Sequence, residues 1–310
     1  MTATEIIKPR GCHLIAKSNE LVYRSYRLSV VEQRLVAILA SRISPTDHDF
    51  SSYYFSYADL ASLCGLQRGG SVVRDAKNAI AGLRGRTLRL PCVDAAGNPA
   101  EMMVGWISAS ICSNHFDGGV TLRLEPELKP YFLALRERFV SYGLHNIVQM
   151  KTMFGIRFYE VFKGRQRLGK MRLSLDEARK IAGLSDTEHE RPTDFRRKVL
   201  TPAVADINGR TDIRVKLKRI LQSRALVGWQ VSIRAQEPKG FDRSAPPPVP
   251  VEVPPPLTES EAERHERLYQ LFVSGQKLSP DEDADFSFLE SKKERHETFI
   301  ESAPNQSSLF

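Results

Sequence analysis

Two stretches of the sequence are diverged copies of one short helix. The first is Phe55-Ser-Tyr-Ala-Asp-Leu-Ala-Ser-Leu-Cys-Gly-Leu66, and the second is Leu173-Ser-Leu-Asp-Glu-Ala-Arg-Lys-Ile-Ala-Gly-Leu184. Each has a serine that can cap the first turn, with an acidic residue three positions later. Each also has a glycine where a left-handed residue commonly ends a helix. The pattern predicts one helical unit that is used twice.

Three more matches follow at a nearly constant offset. Residues 79–87 resemble residues 203–211, and Val104-Gly-Trp106 resembles Val227-Gly-Trp229. The pair Arg34 and Arg42 recurs as Arg157 and Arg165. We infer a tandem duplication, in which both tryptophans of the chain occupy equivalent places.

Each copy has the element order of a DNA-binding module. A long amphipathic helix comes first, and in the first copy Ser29 and Glu32 can form a capping box before apolar residues at helical spacing. The short capped helix, a second helix and strands follow, which is the order of a helix-turn-helix with a β-wing. We therefore predict an α+β fold with two tandem winged-helix (helix-turn-helix plus β-wing) domains and a flexible acidic C-terminal tail.

The predicted domains are a flexible N-terminus (residues 1–13), winged-helix domain 1 (14–138), winged-helix domain 2 (139–240) and a largely disordered tail (241–310). The tail begins with a proline-rich linker, because residues 246–256 contain seven prolines, which is typical of a stiff extended spacer. Residues 258–272 have a capped, acid-first helical start. One hypothesis is that the tail docks a host protein or competes with DNA; the alternative is a solvated extension.

The strands of the second copy predict a basic wing. Alternation places Ile213, Val215 and Leu217 on one face and Arg214, Lys216 and Lys218 on the other. A turn containing Arg224 follows, so this hairpin can meet phosphates. Solvent-facing strands are commonly polar, and lysine also protects sheet edges, so the same pattern has a purely structural explanation. The first copy has a longer, less charged wing, and we expect it to bind DNA less strongly.

Residues 193–208 are the predicted reading helix of the second copy. Winding at 100° per residue places an apolar arc opposite Arg197, Lys198 and Thr201, and cations in the N-terminal half of such a helix can donate to guanine. Arg196 falls inside the apolar arc. Either its side chain extends along the apolar surface so that the guanidinium reaches solvent, or the helix is irregular there. Pro202 predicts a kink near Thr201. Arg210, after this helix, is a further candidate DNA contact.

The corresponding helix of the first copy is predicted over residues 71–84. Val72, Val73, Ala76, Ile80 and Leu83 form its buried face. The candidate DNA contacts are Arg68, Ser71, Arg74, Lys77 and Asn78, with Arg84 as a further possibility. An ordinary solvated helix face explains the same pattern.

The charge of the chain is divided between body and tail. The whole chain has a formal net charge of +8 at pH 7, whereas residues 241–310 hold 7 Lys/Arg against 14 Asp/Glu. The remaining 240 residues are therefore strongly basic, and such a body attracts a polyanion by counterion release. Double-stranded DNA is the first expected partner.

Other chemistry is disfavoured by the sequence. No apolar run is long enough to span a bilayer or to form a signal peptide, so we expect a cytoplasmic protein with no membrane partner. The four cysteines lack metal-ligand spacing. Residues 164–171 imitate a phosphate-binding loop, but Met171 replaces its Ser/Thr. We predict no enzyme activity, no catalytic residues, no metal and no cofactor.

Three segments resemble the iteron-binding plasmid replication initiators, the two-winged-helix Rep family, within roughly residues 14–236. They are residues 17–34, residues 151–160 and Phe195-Arg-Arg-Lys-Val-Leu-Thr-Pro-Ala-Val-Ala-Asp-Ile-Asn208. The last is the most specific, because it combines a basic start, an internal proline and a closing Ile-Asn.

The resemblance implies that the second domain reads direct repeats (iterons) at the origin through Arg196, Arg197, Lys198 and Thr201. It implies that the first domain supplies auxiliary DNA contacts and a homodimer interface, with dimers repressing the protein's own gene. It also implies opening of adjacent A·T-rich DNA and recruitment of the host replicative helicase and the host initiator ATPase.

Two rival functions remain at the level of the sequence. A dedicated winged-helix transcriptional repressor without initiator activity uses the same modules, and the sequence does not separate it from an initiator. A nuclease or recombinase is disfavoured, because no catalytic cluster and no His-x-His pair is present.

Overall fold

The computed structural model describes residues 14–44, 47–66, 71–114, 118–133, 135, 138–185, 187–223, 225–237, 259–273, 282, 285–286 and 289. The predicted flexible N-terminus, Arg68, Arg224 and the proline-rich linker lie outside the described residues.

Helices and short antiparallel strands alternate along the first half of the chain. The elements are β1 (Leu14–Ser18), α1 (Asn19–Tyr23), α2 (Val30–Arg42), β2 (Tyr53–Ser56), α3 (Tyr57–Cys64), α4 (Val72–Arg84), β3 (Leu88–Val93), β4 (Pro99–Val104), β5 (Ile107–Cys112), β6 (Gly119–Leu124), α5 (Lys129–Phe132) and β7 (Phe139–Gly143).

The second half repeats a shorter version of this order. The elements are α6 (Leu144–Gln149), α7 (Met153–Gly164), β8 (Lys170–Ser174), α8 (Leu175–Ala182), α9 (Pro192–Phe195), a π-helical turn (Arg196–Leu200), α10 (Thr201–Arg210), β9 (Ile213–Gln222), β10 (Ala225–Ala235) and α11 (Glu259–Val273).

Both copies form a winged helix with the same sheet topology. The strand orders are β2-β6-β5 and β8-β10-β9, with every neighbouring pair antiparallel. The predicted caps are present, because Ser56 and Ser174 accept from backbone N–H groups of α3 and α8. Gly65 and Gly183 end these helices with φ of 68° and 66°, a region that favours glycine. The predicted duplication and fold class are therefore confirmed.

One pair of the duplicated arginines, Arg34 and Arg157, makes equivalent contacts in the two copies. Arg34 of α2 donates to the carbonyl of Cys64 at 2.6 Å, at the end of α3. Arg157 of α7 donates to the carbonyl of Ile181 at 3.3 Å, near the end of α8. In each copy the long first helix thus supplies a cation to the negative end of the short capped helix.

The two tryptophans are not equivalent, and that prediction is wrong. Trp229 lies in β10 opposite Leu173, whereas the strand partner of the corresponding Phe55 is Val120 of β6. Trp106 lies between β4 and β5 and packs edge-on against Tyr26. The reason is the β3–β4 hairpin, a separate two-stranded sheet with no counterpart in the second copy. It lengthens the first wing and shifts the sequence match.

A buried ionic network joins the start of the chain to α7. The Glu160 carboxylate accepts from Lys17 at 2.7 Å, from Arg157 at 3.3 Å and from the Tyr142 hydroxyl. Burial alone raises the pKa of Glu160, but Lys17 and Arg157 outweigh it and hold that pKa below its usual value. The stability that this carboxylate contributes is therefore present above the ordinary carboxyl pKa and is lost as the pH falls through the lowered value.

Arg157 connects this network to the backbone of both halves. Its guanidinium donates to the carbonyls of Val22 at 3.1 Å and Arg24 at 2.6 Å, besides that of Ile181. It also lies 3.6 Å from the centre of the Tyr26 ring, a cation–π contact. In addition, β1 pairs with β7, which precedes the second winged helix. The two copies therefore share a buried junction.

The described part of the tail contains a helix that packs locally. α11 covers most of the predicted helical start. His265 and Leu268 are buried, the ring of His265 stacks on Phe286 at 5.6 Å, and Arg264 lies 3.5 Å from Asp285. None of the described helices has the length and apolar character that crossing a bilayer requires.

We predict that Glu160→Ala lowers the free energy of unfolding by about 3–5 kcal/mol, because it leaves buried cations without their counter-charge. Glu20→Ala is the control, since it removes the exposed partner of Arg24 and should cost less than about 1 kcal/mol. Urea denaturation of both variants measures the difference. Equal, small losses would show that the junction does not depend on this carboxylate.

Candidate nucleic-acid interface

The reading segment of the second copy is one helical stretch that packs into the domain by its predicted apolar arc. Phe195, Val199, Leu200, Ala203 and Ile207 are fully buried. The stretch extends to Arg210, slightly beyond the predicted end. Its first turn is fixed to the sheet, because the ring of Phe195 lies 6.0 Å from that of Trp229.

The predicted irregularity is a π-helical turn before Pro202. The Thr201 N–H donates to the Arg196 carbonyl, five residues back instead of four. Pro202 has no N–H to donate, so the preceding turn is free to widen. A wider turn separates buried Phe195 from buried Val199 and Leu200, and the three residues between them all point outward.

Arg196, Arg197 and Lys198 are consequently consecutive, exposed cations, and Thr201 is exposed beside them. Of the two sequence-based alternatives for Arg196, the irregular helix is therefore the correct one. Arg197 contacts Asp194 at 3.2 Å, but its side chain is 74% exposed. Surface ion pairs of this kind are weak, so the guanidinium can exchange this partner for a ligand.

Arg210 is held differently. It pairs with the largely buried Asp206 at 3.0 Å, and this carboxylate also accepts from the N–H groups of Lys151 and Thr152 and from the Thr152 hydroxyl. Arg210 therefore belongs to a cluster that anchors the start of α7, at the opposite end of α10 from the three cations.

The predicted alternation of the wing is present in β9. Ile213 and Val215 are buried, Leu217 is half-buried, and the outward side chains of Arg214, Lys216 and Lys218 are exposed. Both wing strands are longer than predicted.

Sequence reasoning missed three cations on the same outer face. The sheet register places Arg234 opposite Arg214, Lys170 opposite Ser232 and Arg172 opposite Gln230. A signal was available, because Lys170-Met-Arg-Leu173 alternates cations with apolar residues as an exposed strand does.

The outer face of this sheet is basic away from the wing tip. Over Lys170–Ser174, Arg214–Lys218 and Gln230–Arg234 its outward positions hold six cations, two serines and one glutamine, with no acidic residue: Lys170, Arg172, Ser174, Arg214, Lys216, Lys218, Gln230, Ser232 and Arg234. The helices pack on the other face. Cations of one sign at strand spacing sum to a field that attracts a polyanion at long range.

The reading helix of the first copy, α4, makes more contacts within its own domain. The predicted buried face is present, with Val73 only half-buried. Lys77 donates to Asn114 at 2.7 Å, and Arg74 lies 3.4 Å from Asp75. Ser71 is half-buried before α4 without a side-chain capping bond, and Asn78 is exposed.

Two protein-family models match this chain. "Initiator Replication protein, WH1" matches residues 14–163, and "Initiator Rep protein, WH2" matches residues 174–233. The chain belongs to the initiator Rep protein family. Its two winged-helix units are the WH1 and WH2 units of that family.

A solved structure shares the fold of this chain, and a second is similar over part of it. The crystal structure of the Pi initiator protein in complex with iteron DNA matches with a TM-score of 0.62 and 16% identity, over 74% of this chain and 100% of that one. Domains 2 and 3 of RctB match with a TM-score of 0.42 and 15% identity, over 66% of this chain and 82% of that one. At this identity the likeness to Pi is one of fold.

We predict that Lys216→Ala weakens binding to all duplex sequences alike. An outward cation attracts DNA electrostatically and contacts its phosphates, and phosphate contacts carry no sequence information. The slope of log K against log salt should fall in magnitude by about 0.9, measured by fluorescence anisotropy over a salt series. Arg89→Ala on the β3–β4 hairpin, where Arg89 is 67% exposed, is the control and should leave the slope unchanged. A loss confined to one DNA sequence would contradict a field role.

Proposed function

We propose that this chain is a sequence-specific DNA-binding replication initiator that reads direct repeats at a plasmid origin, mainly through its second winged helix. The observation that carries the proposal is the π-helical turn, which presents Arg196, Arg197 and Lys198 together at the start of a buried helix. Arginine and lysine donate to guanine O6 and N7 in the major groove. Thr201 lies on the same exposed side.

Direct repeats are proposed as the ligand because the chain is an initiator Rep protein and the fold is shared with Pi, whose solved complex contains iteron DNA. We assign residues 139–240 to DNA reading. We assign residues 14–138 to dimerisation and to auxiliary DNA contacts by Ser71, Arg74, Lys77 and Asn78. The hydrogen bond of Lys77 to Asn114 within its own domain supports an auxiliary contribution.

The later steps of initiation are part of the same proposal. Bound monomers promote opening of adjacent A·T-rich DNA and recruit the host replicative helicase and the host initiator ATPase, and a homodimer represses the protein's own gene. The work takes place in the cytoplasm, where plasmid DNA is found. A protein with this role positions DNA and partners and needs no catalytic residue of its own.

The decisive experiment separates initiation from repression, which the same DNA-binding surface could also serve. The purified chain is footprinted on the DNA upstream of its own gene, and that DNA is tested for autonomous replication when the chain is supplied. Protected direct repeats together with replication support the initiator. Protected repeats, or a lone palindrome, without replication would identify a dedicated repressor.

We predict that Arg197→Ala costs about 1–3 kcal/mol of binding free energy on the protected repeat and relaxes the sequence preference. The reason is the loss of a base contact, so affinity for unrelated DNA should change little. Competition binding with repeats mutated at each position measures both effects, with Lys216→Ala as the comparison. Equal and sequence-blind losses from the two variants would refute this division of roles.

A further inference from the structure

The far end of the WH2 wing carries apolar side chains that none of the helices in the described part of the chain covers. β9 and β10 pair from Ile213 and Ala235 up to Gln222 and Ala225. Close to this end, Leu221 is 55% exposed and Val227 is 36% exposed. Val227 lies at a β-bulge, a shift of strand register between Leu226 and Gly228. A bulge changes the direction in which the side chain of the extra residue points.

The register shows which way this end faces. Arg219 lies directly opposite Trp229, and opposite residues of an antiparallel pair share a face of the sheet. Trp229 is buried on the face that packs against the helices. Arg219 and, two residues later, Leu221 therefore lie on the helix side of the sheet, unlike the outward cations Lys216 and Lys218.

This end of the wing also lies beside the reading cations. Trp229, the strand neighbour of Arg219, packs against Phe195, which immediately precedes Arg196. The other end of β9 is near the end of α10, because Asn208 exchanges two hydrogen bonds with Val215. The exposed residues Arg219, Leu221 and Val227 and the π-helical turn are therefore at the same end of the domain.

The chemistry of the segment fits a DNA groove better than open solvent. No acidic residue occurs between Ile213 and Ala235, and a cation accompanies the exposed leucine and valine. Proteins that enter the minor groove combine basic side chains with apolar wedges, which partly unstack a base step and bend the duplex. An arginine gains further from the negative potential of a narrow A·T minor groove.

Resting on the proposed function, we propose that the wing end inserts Leu221 and Val227 into the minor groove next to the major-groove segment that the π-helical turn reads. Arg219 lies in the groove beside them, and the apolar side chains unstack a base step and bend the repeat. Recognition at this step then depends on how easily the DNA deforms, so flexible TA or CA steps are favoured without base-specific hydrogen bonds.

The test measures the DNA bend with the full chain. A duplex of the footprinted repeat carries a fluorescence donor and acceptor at its ends, and energy transfer is measured for wild type, for the Leu221→Ser/Val227→Ser double variant and for Leu168→Ser. Leu168 is the control, because it is 64% exposed but lies in the 3₁₀ turn after α7. Leu221→Met keeps an apolar side chain at the wing end.

We expect wild type, Leu168→Ser and Leu221→Met to bend the repeat equally. The double variant should bend it less, bind it roughly tenfold more weakly, as one mismatched base pair would, and lose its preference for a flexible step under the wing. An unchanged bend and affinity for the double variant overturns the inference, as does loss of bending in the Leu168 control.

The two proposals fail separately. If wild type protects no repeat, the proposed function fails, and the bend is then measured on a short A·T-rich duplex at low salt with distamycin as minor-groove competitor. On that duplex, equal bending and equal displacement by distamycin for wild type and the double variant overturn the wing inference.

Discussion

The whole architecture depends on one buried carboxylate. Glu160 lies in α7, the long helix that leads into the second winged helix, yet it forms a 2.7 Å ion pair with Lys17 of β1. A desolvated charge is tolerable only while its partners are all in place, so β1 and α7 are fixed to each other at this point. Arg157 extends the constraint by donating to backbone carbonyls on both sides of the junction.

The reading cations of the second winged helix take no part in that junction and are exposed. The Phe195–Trp229 contact fixes the π-helical turn against the sheet, and Asp206 fixes the other end of α10 to the start of α7. The reading cations thus project from a support that is rigid at both ends, which favours precise recognition. The corresponding helix of WH1 lacks three consecutive exposed cations, and its Lys77 already donates to Asn114 of its own domain. The two copies therefore differ more in the chemistry of this helix than in fold.

Local patterns in the sequence were enough to predict the repeated unit, its caps, the basic face of β9 and the irregular reading helix, because each depends on neighbours within a few residues. The outer-face cations of β8 and β10 were missed because only the strand register places Arg234 beside Arg214 and brings Lys170 and Arg172 onto the same face as the β9 cations. The predicted tryptophan equivalence failed because the first copy contains the extra β3–β4 hairpin. A comparison of the two copies at a constant sequence offset does not reveal such an insertion. Nothing local to Glu160 or Lys17 indicates that these residues meet across 143 positions.

The pairing of β1 with β7 has a consequence for the order in which the protein folds. During synthesis the first strand must wait for more than a hundred residues before its partner strand exists, and closing so large a loop is slow. Lys17 must wait longer still for Glu160. The core around α2, α3 and α4 can consolidate early, but β1 remains an open edge until β7 emerges, and Lys17 remains unpaired until α7 follows. Completion of this early strand is therefore coupled to synthesis of the residues that lead into the second winged helix.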